Sequence, residues 1–145
     1  MKLETNAVLS PDRNGIANKA VCFMKGFASV PPGVYFDQAT GGFTFMAWIQ
    51  VFSYNNWQRI FDFGNGPRNE EVLVTFRDTS NKLQLDTYSG GTTVRTGAST
   101  SVISLNTWYH VAVSVIDGAS SWYVDGVLAG SGTGNVNFFF FDNLS

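Results

Sequence analysis

Phe43-Thr44-Phe45-Met46-Ala47-Trp48-Ile49-Gln50-Val51 is the stretch that decides the fold class. Side chains alternate across a strand, so Phe43, Phe45, Ala47, Ile49 and Val51 share one face. The opposite face carries Met46 and Trp48, which predicts a strand partly buried on both sides and central in a sandwich sheet. Outward from it, no window keeps an i, i+3, i+4, i+7 apolar pattern for three turns, whereas short apolar or alternating runs recur between Gly, Asn, Asp and Ser. Strands are predicted over 43–51, 59–63, 71–77, 82–89, 108–116, 122–124 and 127–129. Weaker signals lie at 21–24, 34–36, 92–96 and 137–141. Over 82–87 the alternation puts Leu83 and Leu85 inward and Lys82, Gln84 and Asp86 outward, so one sheet is expected to show a polar face to water.

Turn chemistry joins neighbours. Asp125-Gly126, between Trp122-Tyr123-Val124 and Val127-Leu128-Ala129, is a two-residue type I′ signal, since both positions tolerate positive φ. Asp117-Gly118 and Asp78-Thr79-Ser80-Asn81 read as looser turns, and Gly130-Ser131-Gly132-Thr133-Gly134 as a flexible connection. Strands joined this way are antiparallel. The reading is an all-β, antiparallel β-sandwich of jelly-roll type, a single domain over residues 1–145.

Composition narrows the function. An apolar share of 44% with 13 Phe supplies a core without disulfide staples, and the single Cys22 cannot make an intrachain disulfide. Charged residues are 14% of the chain, against about 25% in an average domain, so the surface is built from Ser, Thr, Asn and Gly, as on many secreted β proteins. The net charge is −2 and Arg13, Arg59, Arg68, Arg77 and Arg95 are scattered, which offers no basic stripe for nucleic acid. The run Phe138 to Phe141 is far too short for a membrane span, and residues 1–6 lack the apolar region of a signal peptide. An extracellular or cell-surface location therefore needs a signal outside this chain.

Catalytic patterns are missing. Glu70 and Glu71 are adjacent and face opposite sides of a strand, and no strand carries the alternating Glu-x-Asp-x-(x)-Glu of sandwich glucanases. Asp62-Phe63-Gly64 spells a kinase triplet without the rest of the kinase set. His110 has no second His or Cys at zinc-ligand spacing. The expectation is that the chain is not an enzyme.

Four segments carry a family resemblance: Phe43 to Ile49, Trp57-Gln58-Arg59-Ile60-Phe61-Asp62-Phe63-Gly64, Leu105-Asn106-Thr107-Trp108-Tyr109-His110-Val111-Ala112-Val113 and Trp122-Tyr123-Val124-Asp125-Gly126. In that order they resemble a laminin-G-like, concanavalin A-like sandwich domain, and Asp12-Arg13-Asn14-Gly15-Ile16-Ala17-Asn18-Lys19-Ala20 is similar to the family's opening segment. Two departures stand out. The family has a strand before the Asp-Arg segment and one after the point where this sequence ends, and neither is read here. Either the chain is an excerpt, or a partner's strands complete the sheet. Phe138, Phe139, Phe140 and Phe141 would then form an assembly edge, unless they fill the core.

The resemblance implies a non-enzymatic recognition or adhesion module, binding glycan or extracellular protein through rim loops. The alternative is a structural assembly subunit of a fibre or surface layer, completed by neighbouring domains or further copies. The family also implies a rim Ca²⁺, a hard cation held by oxygens. Carried over by motif, its ligands fall on Glu71, with Glu70 beside it, near Ser89, and on Asn135 or Asn137; the family has Asp more often where Glu71 stands, and the alternative is a solvated acidic loop. Sugars stack on aromatic rings and bond to amides, which selects Tyr54, Asn55, Asn56 and Trp57 in one loop and Asn65, Arg68 and Asn69 in the next. Trp57 equally fits a core residue closing the sandwich end.

Overall fold

The computed structural model describes residues 1–31, 42–55, 57–64, 71–76, 80–89 and 92–133. Among them the chain forms twelve strands and no helix, in two compact units, Met1–Tyr35 and Phe36–Ser145.

In the first unit, β1 (Lys2–Leu3) pairs antiparallel with β4 (Ala28–Ser29), and β2 (Ala7–Ser10) with β3 (Ala20–Phe23). A strand thus precedes Asp12, where the sequence reading placed none. The turn that follows it has a local cause. Asp12 Oδ1 accepts hydrogen bonds from the Asn14 and Ile16 amides, each at 2.9 Å, and Gly15 takes φ +77°. This is an Asp-anchored turn closed by a residue without a Cβ.

The second unit is an antiparallel sandwich. One sheet runs in the order β12 (Val127–Thr133), β11 (Ala119–Val124), β10 (Trp108–Ile116), β5 (Phe43–Gln50). The other runs β6 (Arg59–Gly64), β7 (Glu71–Phe76), β8 (Leu83–Ser89), β9 (Thr92–Ala98). Val111, Val113, Val115 and Trp122 from the first sheet meet Val74, Phe76, Leu83 and Leu85 from the second in one buried cluster. Phe45 and Phe61 stack across the interface with centroids 4.1 Å apart. Both Asp-Gly turns are tight: Ile116 pairs with Ala119 and Val124 with Val127, and Asp117, Gly118, Asp125 and Gly126 all take positive φ. The second is clamped twice, by the Asp125 amide on His110 O and by the His110 amide on Asp125 Oδ1, both at 2.8 Å.

Several expectations are corrected. Among the described residues β5 has β10 as its one neighbour, and its second face is open, with Met46 and Trp48 exposed. Apolar side chains on both faces of a strand do not make both faces buried. Conversely, Gln84 and Asp86 are buried rather than facing water, and Gln84 Nε2 donates to Asp86 Oδ1 at 2.5 Å. Alternation tells which residues share a face, not whether that face is wet. Finally, Gly130 to Thr133 belong to β12 rather than to a flexible connection. A Cβ on Gly130 would lie 2.7 Å from Ala98 O, and one on Gly97 would lie 3.0 Å from Gly132 Cα. Glycine is used there because β9 and β12, from opposite sheets, approach backbone to backbone.

Candidate binding surface at the sandwich rim

Loop 52–58 carries the chain from β5 in one sheet to β6 in the other, and so crosses the end of the sandwich. Its attachment is set by hydrogen bonds. At its start the Asn106 amide donates to Val51 O at 2.8 Å, and Gln50 Nε2 donates to Asn106 O at 3.0 Å. At its end Gln58 O accepts from the Phe76 amide at 3.0 Å and from Thr75 Oγ1 at 2.9 Å. Between them Tyr54 turns inward: its ring packs on Phe76 and its hydroxyl donates to Ile103 O. The residue that closes this part of the core is thus Tyr54. Asn55 is tied locally, with Nδ2 on Ser53 Oγ at 3.0 Å and its amide on Gln58 Oε1 at 3.3 Å.

Trp57 is held differently. Its φ is +55° and 38% of it is exposed. For a bulky residue the left-handed region costs about 1–2 kcal/mol, and such residues concentrate at binding sites. Phe52, also exposed, belongs to the same loop, and sequence reasoning passed over it because an isolated Phe at a strand end reads as core. Asn56, Asn65, Arg68 and Asn69 lie outside the described residues.

The acidic positions sit elsewhere. Glu71 begins β7 and is 3% exposed, with Oε1 at 3.3 Å from Arg59 Nη1. Arg59 also bridges Asp62. Three residues apart, Arg59 and Asp62 would face opposite sides of a regular strand. A register shift between Arg59 and Phe61 brings them to one side, an irregularity no residue pattern announces. Ser89 ends β8, while Glu70, Asn137 and Phe138 to Phe141 lie outside the described residues. Calcium takes six to eight oxygens. A cation beside Glu71 would share that carboxylate with the Arg59 guanidinium, and Glu71 and Ser89 are the members of the donor set among the described residues. Among the described residues no group of three or more His, Cys, Asp or Glu is placed to hold a metal, and no helix is long and apolar enough to cross a membrane.

On β7, Glu71, Leu73 and Thr75 share a face, and Leu73 pairs with Asp62 on one side and Asp86 on the other, so this face of the sheet brings three carboxylates together. Two antiparallel sheets with a common apolar interior and a loop-built rim define the concanavalin A-like class of sandwich. Over residues 25–144 the chain matches the laminin-G family model of the concanavalin A-like lectin/glucanases superfamily. It belongs to that family. No curated protein and no solved structure matches the chain.

Proposed function

We propose that the chain is a non-catalytic binding module whose rim loop 52–58 takes a glycan. The observation that carries the reading is Trp57: an exposed indole in a strained backbone, on a loop anchored to both sheets, beside the Asn55 and Gln58 amides. A ring on a loop already anchored at both ends costs little further loop ordering when a sugar stacks on it. The non-catalytic part is supported by the engagement of the three carboxylates on that face, Asp62 and Glu71 both bridged by Arg59 and Asp86 accepting from Gln84 Nε2, where glycoside hydrolysis needs two free to act.

Trp57→Gly tests it. Removing a buried core Trp costs about 3–5 kcal/mol, whereas here 38% of the residue already faces solvent and glycine relieves the positive φ. The expected result is a denaturation midpoint unchanged to within about 1 kcal/mol. Binding to soluble cello-, chito-, xylo- or manno-oligosaccharides, followed by tryptophan fluorescence, should be lost in the same variant. A large loss of stability would make Trp57 a core residue, and unchanged oligosaccharide binding would remove the loop from the site.

A further inference from the structure

The sheet β12-β11-β10-β5 contains no Asp, Glu, Lys or Arg in any of its four strands. Arg59, Asp62, Glu71 and Asp86 all belong to the other sheet. Its outer face is nevertheless exposed. Register places Met46, Ala112, Tyr123 and Leu128 in one cross-strand row, about 14 Å long at the usual strand spacing. Trp48 stands one pleat along from Met46, its ring 5.3 Å from His110. Met46 is 60% exposed, Leu128 60%, Trp48 47% and Tyr123 36%. Next to the row Thr44 Oγ1 donates to Ser114 Oγ at 3.1 Å, and the Ser114 hydroxyl keeps its own proton to donate.

Exposed aromatics on an uncharged face limit what fits. An anionic polymer or lipid surface calls for Lys and Arg, which these strands lack. A second copy apposed through the same face would bury an apolar patch on the order of 400 Å² per partner, half of what a stable dimer takes. A patch of that size on a monomer is often functional. An uncharged polysaccharide supplies the complement: ring C–H faces for the indole, phenol and thioether, hydroxyls for Ser114, and no charge to desolvate. We infer that this sheet face is a second binding surface, distinct from loop 52–58, for an extended neutral polysaccharide.

The test is depletion of the whole chain onto microcrystalline cellulose and onto chitin, with heparin-agarose as the charged control. Retention on one neutral polymer is expected, with none on heparin. Trp48→Ala and Tyr123→Ala should each weaken it roughly tenfold, both in the wild-type background and in Trp57→Gly. Circular dichroism and the thermal midpoint establish that each variant is folded, and Leu128→Ser serves if one is not. Loss in Trp57→Gly alone would overturn the sheet-face site while leaving the rim reading intact. No retention of the wild type on either polymer would overturn it too. So would a light-scattering dimer that Trp48→Ala dissociates, because the face would then belong to a second copy. Failure of the rim reading shows separately, in the soluble oligosaccharides.

Discussion

Replacing Trp122 by Ala is expected to cost about 3–5 kcal/mol, a large part of the 5–15 kcal/mol that stabilises a typical domain. Trp122 is 1% exposed and sits between the two sheets, with Val111, Val113 and Val124 in the same buried cluster. Its neighbours are strands locked by ladders on either side, so the space left by the indole has little freedom to collapse. Urea denaturation would show the midpoint falling at unchanged slope. The indole nitrogen has no hydrogen-bond partner among the described residues. Trp122→Phe therefore removes volume but no hydrogen bond, and ends the burial of an unsatisfied donor. It should cost no more than about 1–2 kcal/mol. Equal losses for Phe and Ala would mean that the N–H is in fact satisfied.

Gly42→Ala has the second large effect. Gly42 enters β5 with φ +116°, and a Cβ there would stand 1.8 Å from Val115 O, in the backbone of β10. No rotamer change relieves a clash with backbone, so either β5 or β10 must move, and the Val115 to Phe43 pairing lies at that point. Left-handed strain and forced separation together come to at least about 4 kcal/mol. Gly126 is the matched control: its φ is +80°, but nothing lies within 4 Å of its added Cβ. Gly126→Ala should cost only the backbone term, about 1 kcal/mol. If the two variants melted together, steric contact with Val115 would not be the reason for glycine at position 42.

What was legible in the sequence follows from which interactions are local. Alternation in 43–50 and 108–116, and the Asp-Gly pairs, report backbone geometry within a few residues, and those strands and turns appear nearly where expected. Burial of Gln84 and Asp86 depends on what covers the far face of β8, which no alternation encodes. The meeting of Arg59, Asp62 and Glu71 depends on one register shift in β6. The glycines of β12 read as flexibility because the strand they touch, β9, is remote in sequence. At the rim, aromatic and amide residues marked the loop. That Tyr54 is the one to turn inward was decided by its partners at Ile103 and Phe76, both remote in sequence.

The two Asp-Gly turns also bear on how the chain reaches this fold. Residues 108–133 form a three-stranded meander whose pairings span short stretches of chain, closed by two turns of two residues each. Joining β5 to β10 instead brings together Gln50 and Trp108, roughly sixty residues apart, and must bear the entropy of closing that loop. Local contacts form before distant ones reward them. In pulsed hydrogen exchange during refolding, the amides of β10, β11 and β12 should gain protection first and those of β5 later; early protection of β5 would place the nucleus elsewhere. The uncharged sheet would then be the template on which the rest of the domain assembles.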